Sequence, residues 1–373
     1  MNNRILMVAE HDLSAKGGIQ RNMARITARL SGEFVFDAVV FTNMSEKEKK
    51  QFQCYRNIYC IPCDSDKGKL RKLIENITRL IRILINANRI IQRGKYGAIH
   101  CHDTTKAPFF LWVAKKKGVP IRIMHCHNPA TREPEHGIRK LYFDRVESLV
   151  NPCSNVKFGP SKDACISTFK EQADQSFVVN VGLDLSSFNP SRFKQETKDT
   201  IDFIHVGRFT YQKNHEFLLK VFALISKKIP NARLTLVGWG ELEDTIRKDI
   251  EALGIQDIVR MLPGDSDIAE CMSKADYMIF PSRYEGLGRA LIEAQSMGVM
   301  CFASDHIPRE TDLGLCDYIS LNEDQDAWAK HITRFINDNS KRLRQLNKNN
   351  LLNFNVDTII RTYAEIYRGE HCE

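Results

Sequence analysis

Two acids and two cations carry the strongest chemical signal in this chain. Glu285-Gly286-Leu287-Gly288-Arg289-Ala290-Leu291-Ile292-Glu293 sets a carboxylate on either side of a glycine pair. Gly286 and Gly288 allow close backbone approach to a ligand, and the free N–H groups of a first helical turn suit an anion. Glu285 falls before the expected helix and Glu293 about a turn and a half inside it. They could touch the reacting end and a distal hydroxyl pair of one extended ligand. A surface acid and a helix acid flanking an ordinary loop would read the same way. Earlier in the chain, Val206-Gly207-Arg208-Phe209 runs into Gln212-Lys213-Asn214. Arg208 and Lys213 at the end of an apolar run suit a diphosphate, and would stabilise charge growing on it as a leaving group. Val237-Gly238-Trp239-Gly240-Glu241 repeats the strand-then-glycine arrangement.

Two His-Cys-His triplets stand at 100–102 and 125–127. In strands, alternation puts His100 and His102 on one face, and His125 and His127 on one face. Neighbouring strands would gather four imidazoles, as polar lining of a sugar site or as zinc ligands. No carboxylate or thiol completes a zinc set, so no metal is expected. The 11 cysteines are odd in number and irregularly spaced, with Cys60-Ile-Pro-Cys63 the one CxxC. In a chain this large without an export signal they read as reduced cytosolic thiols.

The elements that must position these residues alternate strand and helix. In the first half the expected strands are Arg4–Ala9, Phe34–Phe41, Ala98–Cys101, Ile121–Cys126 and Val178–Val181. Helical periods fall at Ile19–Leu30, Leu70–Ile91 and Phe109–Lys117. The second half restarts the rhythm with strands Phe203–Val206, Arg233–Val237, Val259–Leu262, Tyr277–Phe280 and Val299–Phe302. Its helices are His215–Lys228, Leu242–Leu253, Leu287–Met297, Ala327–Asp338 and Val356–Tyr367. Two doubly wound parallel sheets are implied, with a boundary in the Asp, Ser, Asn and Pro cluster Asp184–Arg192 and ligands at the carboxyl ends of the strands.

Composition bounds the answer. At 373 residues, 43% hydrophobic and 27% charged, the chain is globular and of two-domain size. No apolar run approaches the roughly 18 residues of a membrane span, and Arg4–Ala9 is too short for a signal-peptide core. A soluble cytoplasmic protein is expected. The net charge of +8 is unevenly spread. Residues 1–190 hold 30 Lys and Arg against 18 Asp and Glu, whereas residues 191–373 hold 24 against 28. The segment 67–95 alone has nine basic residues and one acid, Glu75. Either it is a core-packed helix with a solvated basic face, or it docks on anionic lipid. Nucleic acid is not an expected partner, because no recognition motif accompanies the charge.

In these pieces the chain resembles the retaining glycosyltransferases of family 4, which have the two-domain GT-B fold. The matching motifs are GGIQRNM at 17–23, GRF and QKN within 207–214, VGWGE at 237–241 and PSRYEGLGRALIEAQSMG at 281–298. Ile99–Asp103 and Arg122–Asn128 match too, the latter especially members that make capsular and exopolysaccharides. Asn180–Asp184 resembles the inter-domain hinge with one extra residue. The resemblance implies an N-terminal acceptor-binding Rossmann-like domain over 1–185 and a nucleotide-sugar-binding one over 186–355, facing across a cleft. A C-terminal helix, 356–373, would cross back to the first. Arg208 and Lys213 would bind the donor diphosphate, and Glu293 the ribose hydroxyls. Glu285, with the backbone of Gly286, Leu287 and Gly288, would contact the donor sugar and its phosphate. Gly17 and Gly18 would let the N-terminal loop close over the diphosphate, and His127 would stand beside the reacting sugar. Transfer would need no metal or other cofactor, with a UDP-sugar as donor and a saccharide or lipid-linked saccharide as acceptor. Pro263-Gly264 departs from the family pattern, in which a Gly often follows the strand directly, so a different base-recognition loop is expected and the resemblance does not fix the base.

Three other readings share the fold. A nicotinamide oxidoreductase lacks its G-x-G-x-x-G here, since only Ala15-Lys16-Gly17-Gly18 follows the first strand. A non-catalytic nucleotide-sugar binding protein would retain the binding residues. A sugar-nucleotide epimerase would retain them and change the reaction.

Overall fold

The computed structural model describes residues 2–9, 13, 18–62, 71–102, 105–127, 137–179, 182–194, 198–338 and 344–370. They divide into two compact units, Met1–Gly182 with Asp357–Glu373, and Leu183–Val356.

Seven parallel strands build the first unit's sheet: β1 (Arg4–Ala9), β2 (Val35–Val40), β3 (Tyr55–Cys60), β4 (Ala98–Cys101), β5 (Ile121–His125), β6 (Val156–Gly159) and β7 (Phe177–Val178). Their order is β3-β2-β1-β4-β5-β6-β7. Runs such as RILMVA are apolar at nearly every position because a parallel sheet is buried on both faces. Leu6, Val8, Ile99 and Phe110 pack on one side, and Ile5, Met7, Ile26 and Phe36 on the other. The last helix, Val356–Arg368, belongs to this unit. It lays Ile359, Tyr363, Ile366 and Tyr367 against the second of those faces, all but removed from solvent.

The second unit repeats the plan with β8 (Ile201–Val206), β9 (Ala232–Gly238), β10 (Val259–Pro263), β11 (Tyr277–Phe280), β12 (Met300–Ser304) and β13 (Cys316–Ile319). The order β10-β9-β8-β11-β12-β13 reverses direction between β8 and β11, as the first sheet does between β1 and β4. The crevice at such a reversal, outside the carboxyl ends of the strands, is where doubly wound folds bind ligands.

Several elements differ from the sequence expectation. The helix expected from Leu287 begins at Arg289, because Gly288 holds a left-handed backbone (φ 83°) that keeps 286–288 out of the helix. Strands β3, β6 and β13 were not expected. β3 is a sheet-edge strand with polar residues among its side chains, β6 carries Lys157 in a four-residue run, and β13 is an edge strand reading CDYI. Helices Gly137–Cys153 and Lys162–Phe169 were also missed. β7 ends at Val178, and the remainder of the expected strand reaches 180–181, outside the described residues. In the basic helix Arg71–Gly94 the packed stripe is Ile83, Ala87, Ile90 and Ile91. Ile81 is 50% exposed, beside Ile85 at 56%.

Candidate active site

The reversal point of the second sheet gathers the acids and cations singled out in the sequence. β8 ends at Val206, and Gly207-Arg208 leaves its carboxyl end; β11 ends at Phe280, and the loop to Gly288 leaves the neighbouring end. The two loops are stitched together. Arg283 N–H donates to Gln212 O (2.9 Å), and Gln212 Nε2 donates to Tyr284 O (2.9 Å). Asn214 has a left-handed backbone (φ 57°), which Asn tolerates better than most residues. From there its Nδ2 donates to Pro281 O (3.1 Å) while its Oδ1 accepts from Arg283 Nη1 (2.8 Å).

This stitching brings Lys213 to Glu285, with Nζ and Oε1 2.6 Å apart and side chains 14% and 9% exposed. The ammonium also lies 4.6 Å from the centre of the Phe280 ring. The side chain passes over Gly207, where a Cβ would stand 2.9 Å from Lys213 Cε. Gly238 is required for a harder reason, since a Cβ there would be 2.0 Å from Gly207 O. Arg208 lies over the Trp239 indole, 4.8 Å from the ring centre. Arg208, Gln212, Lys213, Glu241 and Tyr284 are among the lining of a cavity of about 300 Å³.

The glycine segment adds donors. Among the described residues, the backbone N–H groups of Gly286, Leu287 and Gly288 find no acceptor, although all three residues are buried. Buried N–H groups without partners are uncommon, and three in succession are donors of the kind that suits an anion. Glu293 sits in the helix Arg289–Ser296 and pairs through Oε1 with Arg289 Nε at 2.6 Å. That pairing, like the Lys213–Glu285 pair, carried no signal in the sequence beyond the i, i+4 spacing of Arg289 and Glu293.

The other residues singled out in the sequence belong to the first unit. Gly18 opens the helix Gly18–Leu30, and Gly17 lies outside the described residues. The four histidines meet at the ends of β4 and β5, which pair in parallel. His102 Nδ1 lies 3.0 Å from His127 Nε2, and His100 Nε2 lies 3.2 Å from His125 Nδ1. The rings stack as two pairs, and ligand nitrogens of His100, His102 and His125 lie within 4.8 Å of one another, close enough for the three to hold a metal ion. Burial pushes His100, His102 and His125 well below the usual histidine range, and neighbouring rings add to it. Burial alone lowers His127 to about 4.

Comparison with known proteins fits this geometry. Residues 187–351 match the family model described as glycosyl transferases group 1. A protein named as a glycosyltransferase, EpsF of Bacillus subtilis (strain 168), is 30% identical over 260 residues, 66% of this chain and 68% of that one. The Escherichia coli UDP-Gal:alpha-D-GlcNAc-diphosphoundecaprenol alpha-1,3-galactosyltransferase is 24% identical over 79% of this chain and 81% of its own length. Among solved structures, Anabaena Alr3699/HepE in complex with UDP and glucose superposes with a TM-score of 0.74 at 18% identity, covering 97% of this chain and 98% of that one. That likeness shows the fold, GT-B. With one relative matched across two thirds of its length and the family model laid over the second sheet, this chain belongs to the group 1 glycosyl transferases.

Proposed function

We propose that this glycosyltransferase moves a sugar from a UDP-sugar to a saccharide or lipid-linked saccharide with retention of anomeric configuration, as a member of family 4. The product would be a capsular, exopolysaccharide or other cell-surface glycan, made in the cytoplasm. The observation that carries this reading is the constellation at the end of β8 and β11: Arg208, the Lys213–Glu285 pair and the unengaged N–H groups of 286–288. Fixed donors of positive character aimed at one place stabilise charge that develops there.

In this reading Arg208 and Lys213 hold the diphosphate and neutralise it as it leaves, so that no metal is required. Gly17 and Gly18 let the N-terminal loop close over it. Glu293 binds the ribose hydroxyls. Glu285 turns its carboxylate to the donor sugar, and the backbone of Gly286, Leu287 and Gly288 meets sugar and phosphate. His127 meets the reacting sugar from the first unit. The acceptor hydroxyl attacks on the face from which the phosphate departs. As the bond from the anomeric carbon to phosphate breaks, the new bond to the acceptor oxygen forms, and the hydroxyl proton passes to the leaving phosphate oxygen. The Escherichia coli relative is named for a UDP-Gal donor and a lipid-diphosphate-linked acceptor, which supports the same two classes here.

A lipid-linked acceptor calls for a membrane face. The exposed side of the helix Arg71–Gly94 combines Ile81 and Ile85 with Arg82, Arg89 and Arg93, an apolar and basic mixture suited to an anionic bilayer surface. Among the described residues no helix is long and apolar enough to cross a membrane.

Thermal unfolding of the full chain across a panel of nucleoside diphosphates and nucleotide sugars tests the donor. A ligand that binds the folded state alone stabilises it by RT ln(1 + [L]/Kd), about 2.7 kcal/mol at a hundredfold excess over Kd. UDP and one UDP-sugar should raise the melting temperature. A panel without any effect would sink the reading, and selection of another base would sink its uridine part. Release of UDP only when acceptor is present separates transfer from epimerisation and from binding without turnover.

A further inference from the structure

The histidine cluster of the first unit is two hydrogen-bonded pairs stacked one on the other. His100 stacks on His102 with ring centres 4.1 Å apart, and His125 on His127 at 4.3 Å, each pair of planes within 26°. The lower pair, His100 and His125, is fully enclosed, and Tyr367 of the last helix anchors it through a 2.6 Å hydrogen bond to His100 Nδ1. The upper pair, His102 and His127, rests on that floor, with His127 half-buried and His102 only 2% exposed.

The hydrogen bonds assign a proton. A neutral imidazole has one N–H and one bare nitrogen. His102 Nε2 is buried and has no partner among the described residues. A proton there would be a buried N–H without an acceptor, whereas a proton on Nδ1 leaves only a bare lone pair in the core. The second arrangement is the cheaper one, since buried unpaired donors are the rarer fault in proteins. His102 therefore donates through Nδ1–H to His127 Nε2, 3.0 Å away. His127, accepting at Nε2, must carry its own proton on Nδ1. A free histidine side chain in water favours the opposite tautomer, with the proton on Nε2.

We propose that His102 is a positioning residue, which locks His127 into the Nδ1–H tautomer so that it meets the sugar as a hydrogen-bond donor. The inference rests on the reading of His127 given above. The floor pair and Tyr367 hold the plane, and His102 holds the proton. Burial keeps all of these rings neutral at pH 7, so a single tautomer persists through the working range.

Imidazole nitrogen NMR on the full chain, labelled with ¹⁵N-histidine, reads the tautomer directly at neutral pH. A His127→Gln sample assigns the His127 resonances. The expected wild-type spectrum has His127 protonated on Nδ1 and bare on Nε2. In His102→Leu the His127 signals move toward the Nε2–H form. In His102→Asn, whose amide nitrogen takes the place of Nδ1 and donates, they return. A wild-type His127 protonated on Nε2 overturns the proposal even if the leucine variant does not fold, and so does an unchanged tautomer in His102→Leu. In the transfer assay, with the nucleotide sugar that the thermal panel selects, His102→Leu should lower kcat by up to about a hundredfold. The donor KM should change little, and His102→Asn should recover most of the rate. If the tautomer follows His102 while kcat does not, the coupling stands and the place given to His127 beside the sugar fails.

Discussion

At the scale of single residues, the Lys213–Glu285 pair sets the terms. Both side chains are largely buried, and Lys213 has Phe280 on one side and Gly207 on another. On the proposed reading, replacing Glu285 with Ala leaves the Lys213 cation in place for a diphosphate while removing the carboxylate from the sugar. Glu285→Ala should lower kcat for transfer about 10²- to 10³-fold, with nucleoside diphosphate affinity largely kept. Loss of nucleotide binding together with activity, or survival of both, would count against the assignment. Gly238 makes a purely steric prediction. A Cβ 2.0 Å from Gly207 O cannot be accommodated by a side-chain rotation, because the obstacle is backbone. Gly238→Ala should cost the second unit about 3 kcal/mol or more, read as a lower denaturant midpoint. The residue types and order at 207–214 and 285–293 were legible in the sequence. The ion pair was not, since nothing local joins positions 72 residues apart.

At the scale of elements, the last helix shows how far periodicity reaches. Apolar or aromatic residues at 356, 359, 360, 363, 366 and 367 give a helical stripe, and the structure buries Ile359, Tyr363, Ile366 and Tyr367 in the first unit. Tyr363 is 1% exposed and packs edge-on to Phe158. Tyr363→Ala should therefore cost about 3–5 kcal/mol, seen as an earlier unfolding transition of the first unit with that of the second unmoved. An unmoved transition of the first unit would show that the helix is not integral to it. Where element prediction failed, the cause was specific. β3 and β13 are sheet-edge strands that keep polar residues, and β6 hides a lysine, so none shows the uninterrupted apolar run of a central parallel strand. The helix after Gly288 starts late because one left-handed glycine outweighs the helical propensity of its neighbours.

At the scale of the molecule, buried neutral histidines make acid the weak side of stability. His100, His102 and His125 in the first unit and His205 in the second lie well below the ordinary value of 6.5, with His127 and His215 lowered to about 4. The unfolded chain protonates these rings near pH 6.5, so below that pH it binds more protons than the folded one. The contribution is present in full above about pH 6.5 and is lost as the pH falls toward about 4. Denaturant midpoints at about pH 7.5 and about pH 5 should differ accordingly, and identical midpoints would refute it. The net charge of +8 has a separate consequence. Each Lys or Arg near an anionic surface contributes roughly 1 kcal/mol. Sedimentation with anionic vesicles should then show binding that weakens with salt and with Arg82→Glu and Arg89→Glu. Binding indifferent to lipid charge would refute the membrane-facing role of the helix Arg71–Gly94.

The sequence by itself determined the repeated strand–helix plan, the glycines at the strand ends and the acids and cations that follow those ends. These are local properties, set by hydrophobic period, by backbone freedom and by side-chain chemistry over a few residues. Tertiary structure alone decided which acid meets which cation, that His100, His102, His125 and His127 form two stacked pairs, and that Tyr367 closes that stack from 267 residues away. Such partnerships depend on which strands lie side by side and in what register. In a parallel sheet that choice is made by crossovers and core packing across the whole unit, not by the neighbours of any one residue.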